Sequence, residues 1–192
     1  MPEPRFLSAG DAALVVEFGD RIDPEINDRV CALHRALSEH PIEGVTESVP
    51  TYRSLMVCFD PCALPVKELE TRIRALLPGL TGAARRRARR IEIPVLYGGE
   101  SGPDLDDVAA HANLTPAEVI ALHNAPEYRV YMLGFLPGFA YLGGLDERIA
   151  TPRLKTPRTR IEPGSVGIGG NQTGVYPVAS PGGWRLIGMT PV

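Results

Sequence analysis

Arg153 and Arg158 each follow a proline in the stretch TPRLKTPRTR, and this pairing is the clearest chemical signal in the chain. Proline restricts φ, so each guanidinium leaves the backbone from a constrained start. A guanidinium can grip a carboxylate or phosphate through two parallel hydrogen bonds. Lys155 and Arg160 add positive charge to the same segment. Downstream, NQTGVY offers Gln172, Thr173 and Tyr176 as neutral donors and acceptors suited to an amide. Phe135, Pro137, Phe139 and Tyr141 in GFLPGFAYLGG, with Trp184 in PGGWR, supply apolar walls. Together they describe a binding constellation for a small molecule that carries a carboxylate or phosphate and an amide. The plainer alternative is a turn-rich β domain whose cations face solvent and whose aromatics are core.

His123 ends a helical pattern and is the candidate acid or base, with capping or packing as the other reading. His34 and His40 belong to an earlier helix and receive no role, and Asp11 after Gly10 sets a turn. Ser165 lies in PGSVG, which is no nucleophile elbow, and reads as a turn serine. In GSVGIGGNQTG the third glycine of G-x-G-x-x-G is replaced by Gln172, and no G-x-x-x-x-G-K-[ST] loop occurs. Cys31, Cys58 and Cys62 form an odd, sparse set without a second metal-ligand pair nearby, so neither a disulfide framework nor a metal site is expected.

Several elements must position these residues. Residues 12–18 read as a strand, followed by a helix capped by Asp23, with Pro24 in its first turn and an apolar stripe of Ile26, Val30, Leu33 and Leu37. Two β-like runs, at 43–49 and 54–60, precede a second amphipathic helix over 65–77. This order predicts a small ferredoxin-like α+β domain over residues 1–80. Residues 81–90 carry Arg85, Arg86, Arg87, Arg89 and Arg90 and read as a linker; without interleaved aromatics, nucleic-acid binding is not expected. From 91 to 192 a strand and two short helices lead into alternating short strands and turns, which fits a barrel or a sandwich. The second helix has Thr115 as N-cap, Pro116 at its first position and Glu118 three residues after the cap.

The 192 residues, 44% of them hydrophobic and 22% charged, suit a globular chain with a sizeable core. A net charge of −3 argues against whole-surface attraction to nucleic acid or membrane. No apolar run approaches the roughly 20 residues of a membrane span, and MPEPRFLSAGD lacks the order of a secretory signal. A cytoplasmic location is the expectation.

In order, GFLPGFAYLGGL, TPRLKTPRTRIEPGSVGIGGNQTGVYP and SPGGWRLIGMTP resemble successive motifs of the family containing the 5-oxoprolinase B-subunit, allophanate hydrolase subunit 1 and a sporulation histidine-kinase inhibitor. The likeness extends upstream through GDAALVVEFGD, VPTYRSLMVCFDP and VLYGGESGPDLDDVA. It implies a cyclophilin-like β-barrel over 91–192, curtailed at its C-terminus, because family members usually continue beyond the motif ending here in GMTPV. It also implies ATP-dependent hydrolysis of 5-oxoproline to glutamate, with partner subunits A and C, the latter a carboxyltransferase-like protein, and an ATP site shared with the partner. A urea- or allophanate-type system and inhibition of a histidine kinase are the alternatives. Two positions depart from the family: Met189, where arginine is common, and Gly169, where alanine is usual. The second is expected to loosen backbone while leaving the pocket intact.

Overall fold

A computed structural model of the chain describes residues 3–80 and 89–191. The chain divides into two compact units, Met1–Ala88 and Arg89–Val192. Of the expected arginine-rich linker, residues 81–88 lie outside the described residues.

The first unit runs β1 (Arg5–Ser8), β2 (Ala13–Glu17), α1 (Pro24–Glu39), β3 (Val45–Pro50), β4 (Ser54–Phe59) and α2 (Val66–Leu76). Its antiparallel sheet has the order β1-β2-β4-β3. Period-two alternation turns Leu14 and Val16, then Leu55, Val57 and Phe59, to one face, where Val30, Leu33 and Leu37 of α1 and Leu69 and Ile73 of α2 meet them. Asp23 caps α1, its Oδ1 accepting the Glu25 N–H at 2.8 Å. The expected β-α-β-β-α succession is present, with one strand added at the front. That strand, RFLS, has no clear alternation to announce it, being largely exposed at the sheet edge.

The second unit contains β5 (Leu96–Tyr97), α3 (Leu105–Ala112), α4 (Pro116–Asn124), β6 (Arg129–Leu133), β7 (Ala140–Gly143), β8 (Arg158–Ile161), β9 (Ser165–Gly169), β10 (Gln172–Val175), β11 (Ser180–Gly182) and β12 (Arg185–Met189). Six strands form one sheet, β5-β12-β9-β10-β7-β6, while β11 and β8 pair separately. The strand expected at the start of this unit is reduced to Leu96–Tyr97, with Ile91 and Ile93 exposed. The expected barrel is not closed among the described residues: β5 and β6 end the six-stranded sheet and do not pair with each other.

Strand β9 organises this unit and is buried throughout. Val166 and Ile168 face a core shared with Leu105 and Val108 of α3, Val119 of α4, and Ile149 and Ile187. Gly167 and Gly169 face the other side, against Trp184. The V-G-I-G alternation thus makes one face of the strand aliphatic and leaves the other bare for an aromatic ring.

Candidate functional site

On the bare face a cluster assembles around Phe139. Its ring meets Phe135 at 5.6 Å, Tyr141 at 5.1 Å, Tyr176 at 5.3 Å and Trp184 at 5.5 Å between centroids, all edge-on. Glycine makes the room. A Cβ at Gly169 would lie 2.4 Å from Trp184 Nε1, and one at Gly174 would lie 3.2 Å from both Trp184 and Phe139. Gly169 is therefore a packing requirement of this Trp184 position, which corrects the expectation that it only loosens backbone. Phe139, Tyr176 and Trp184 are buried, Tyr141 is half-buried, and Phe135 and Pro137 are exposed. Phe135 holds φ at 65°, in the left-handed region that costs a side-chain-bearing residue about 1–2 kcal/mol.

The cations border this face. Arg153, exposed, lies with its guanidinium carbon 5.9 Å from the Trp184 ring centroid. Arg158 is half-buried, and its Nη2 donates to Asp104 Oδ1 at 2.7 Å. Its Nη1 is buried and without a partner; the other such atom among the described residues is Ser180 Oγ. Arg160 instead forks onto Glu162, at 2.6 and 3.2 Å, and Lys155 is exposed. Burial raises the pKa of Tyr176, while the backbone N–H of Trp184 and the positive charges of Arg153 and Arg158 pull it down. Gln172 pairs with Gly169 in the ladder and so shares the aromatic side.

Thr173 and His123 lie on the opposite side. Thr173 pairs with Ile168, whose side chain faces the helices, and Leu142 pairs with Thr173 while its neighbour Tyr141 joins the aromatics. His123, 6% exposed, places Nε2 2.9 Å from Thr173 Oγ1 and Nδ1 2.7 Å from the Tyr97 hydroxyl. Burial pushes its pKa down to about 4, and that of Tyr97 up to about 12. The sheet separates this buried polar chain from the aromatic face. The structure thus brings together Arg153, Arg158, Gln172, Tyr141, Tyr176 and Trp184, but not His123 or Thr173.

A family model described as carboxyltransferase domain, subdomain C and D, matches residues 4–192. The 5-oxoprolinase B-subunit of Bacillus subtilis (strain 168) is 44% identical over 193 residues, covering 95% of this chain and 80% of that protein. The chain belongs to the 5-oxoprolinase B-subunit family. A second 5-oxoprolinase B-subunit, from Escherichia coli O157:H7, is 42% identical over 99% of this chain and 86% of its own length. Among solved structures, the crystal structure of TTHA0988 is similar with a TM-score of 0.80 and 39% identity, over 94% of this chain and 35% of that longer one.

In this member of the 5-oxoprolinase B-subunit family, sequence reasoning missed Asp104 and Tyr97. Asp104 sits in GPDLDDVA at the head of a helix, where it passes for an ordinary cap. Tyr97 comes beside the candidate histidine only after folding, its phenol oxygen lying 2.9 Å from Oδ1 of Asn124, the next residue in the chain after His123. Among the described residues no group of three or more His, Cys, Asp and Glu is placed to hold a metal, and no helix is long and apolar enough to cross a membrane.

Proposed function

We propose that this chain is the B-subunit of an ATP-dependent 5-oxoprolinase of the cytoplasm, helping to hydrolyse 5-oxo-L-proline to L-glutamate with ATP cleavage, and inactive without subunits A and C. The observation that carries this reading is the pair Arg153 and Arg158 bordering a glycine-cradled aromatic face in a chain of this family. A lactam ring is flat and largely apolar, so it suits the aromatic side, and its carboxylate suits a guanidinium. Gln172 offers an amide to the lactam's own N–H and C=O.

A lactam carbonyl is a poor electrophile. Transfer of the ATP γ-phosphoryl group to its oxygen, with release of ADP, makes the ring carbon electrophilic; water adds there, the C–N bond breaks as the nitrogen takes up a proton, and a second water hydrolyses the acyl phosphate so formed to the carboxylate and phosphate. The arginines would oppose charge developing on the substrate. The sequence carries no phosphate loop, which supports an ATP site shared with the partner subunit. His123 has both ring nitrogens engaged on the far side of the sheet, and its role in this reading is to position β10 rather than to transfer protons. The free edges β5 and β6 are compatible with a cyclophilin-like barrel that other segments complete.

The test is ATP-dependent release of glutamate from 5-oxoproline by the complex with the cognate subunits A and C, comparing the native chain with Arg153→Ala and Arg158→Ala, each checked for folding by circular dichroism. Turnover that requires this chain and falls at least tenfold in the folded variants supports the proposal. A folded, assembled complex that ignores 5-oxoproline but consumes urea or allophanate, or a chain that only binds a histidine kinase, overturns it.

A further inference from the structure

Asp104 stands at the head of α3, where an aspartate ordinarily accepts N–H groups of its own helix. Its side chain does not cap this one. Oδ2 accepts the Leu186 N–H at 2.6 Å, Oδ1 accepts Arg158 Nη2 at 2.7 Å, and the Asp104 N–H donates to Leu186 O at 2.8 Å. Both oxygens of a carboxylate only 5% exposed are thereby committed to β12 and β8.

The consequence falls on Arg158. One terminal nitrogen is held, and the other, Nη1, is buried with no acceptor. An unsatisfied buried donor is costly, and the cost disappears when a ligand supplies the acceptor. The surroundings indicate where that ligand lies. Gly182 pairs with Arg158 across the β8–β11 ladder, and a Cβ on Gly182 would lie 2.5 Å from the Tyr176 hydroxyl. The arginine thus springs from the strand opposite the residue that touches the phenol of the aromatic face.

We propose that Asp104 is a positioning residue for substrate recognition, fixing Arg158 through Nη2 so that Nη1 donates to the carboxylate of a ring-bearing amide substrate. This rests on the function proposed above. It makes Arg158 the residue that selects for the carboxylate and leaves Arg153, free at the surface over Trp184, a less directed contact. A second carboxylate in the site would repel the substrate if it stood alone; here its charge is neutralised by the arginine it holds.

Asp104→Asn tests this in the assembled complex, since asparagine retains an oxygen for the Leu186 N–H while losing the charge that holds Arg158. Kinetics are measured with 5-oxoproline and with 2-pyrrolidinone, the same lactam lacking the carboxylate. The expected result is a KM for 5-oxoproline raised about tenfold to a hundredfold, the scale of one charge-assisted hydrogen bond, with kcat within about twofold and 2-pyrrolidinone unaffected. Equal losses on both substrates, or no loss on either, overturn the proposal. Arg158→Lys, which can still pair with Asp104 but has no second arm, should show the same carboxylate-specific loss and serves if Asp104→Asn fails to fold. A native complex silent toward 5-oxoproline overturns the function reading itself. Calorimetric titration of the two lactams then decides the inference: carboxylate-dependent binding lost in either variant supports it, and indifference to the carboxylate overturns it.

Discussion

His123 Nε2 and Thr173 Oγ1 lie 2.9 Å apart, joining the end of α4 to the middle strand pair of the six-stranded sheet. The Thr173 hydroxyl donates to Gly167 O at 3.0 Å, so towards His123 it can only accept. That places the imidazole proton on Nε2 and leaves Nδ1 to accept from the Tyr97 hydroxyl. The same hydroxyl lies 2.9 Å from Asn124 Oδ1, a second acceptor for its one proton. The histidine is neutral, and the hydrogen bond that Nδ1 accepts from Tyr97 depends on its staying so.

A pH dependence follows from this neutrality. The folded pKa of about 4 lies below the ordinary 6.5, so between these values the unfolded chain binds a proton that the folded chain refuses. The contribution to stability is complete above about pH 6.5 and is lost as pH falls towards 4, at about 1.4 kcal/mol per pH unit and about 3 kcal/mol in all. Urea unfolding at pH 7 and pH 4.5 should show native protein losing some 2–3 kcal/mol more than His123→Gln. Equal losses in the two proteins would remove His123 as the cause.

Gly169→Ala should disturb Trp184. The added Cβ would meet the indole at 2.4 Å, and overpacking of this kind costs about 1–3 kcal/mol. Trp184 is the single tryptophan of the chain, so its fluorescence reports the displacement directly. The variant should be less stable in urea and show a shifted emission maximum; an unchanged spectrum and midpoint would mean that the cradle yields without cost.

Local chemistry was legible from sequence and long-range register was not. Asp23 with Pro24, and Thr115 with Pro116 and Glu118, announce helix starts because caps act within three or four residues. The residue types of the aromatic cluster and of the proline-preceded arginines were also readable, but not which of them the fold buries and which it leaves exposed. Thr173 was grouped with Gln172 and Tyr176 because they are near in sequence. In a strand one step reverses the face, and only the pairing of Thr173 with Ile168 assigns its side. Asp104 shows the same limit: its partners Arg158 and Leu186 lie 54 and 82 residues away, so a position where an aspartate usually caps a helix hid them.

Thr115→Ala tests how far α4 supports the buried chain. Thr115 Oγ1 accepts the Glu118 N–H at 3.3 Å, and the Glu118 carboxylate reaches back to the Thr115 N–H at 2.7 Å. Loss of such a cap costs about 1 kcal/mol. The helix it starts carries His123 in its last turn. Amide hydrogen exchange should therefore accelerate in α4 while the strands of the first unit keep their rates. Uniform protection would show that burial of Val119, rather than the cap, holds the helix.

Arg158 and Arg153 should differ in stability as well as in binding. Arg158→Ala leaves the Asp104 carboxylate buried without its cation, and breaking such a pair costs about 3 kcal/mol or more. Arg153→Ala removes an exposed contact over Trp184, worth about 0.5–1 kcal/mol. Adding Asp104→Asn to Arg158→Ala should recover part of the larger loss, because the double variant no longer buries a lone charge; the Leu186 N–H keeps an oxygen acceptor. Chemical denaturation of the two single variants and the double variant measures the coupling. A double variant whose loss equals the sum of the single losses would show that Asp104 and Arg158 act independently, and would leave the 2.7 Å contact without energetic weight.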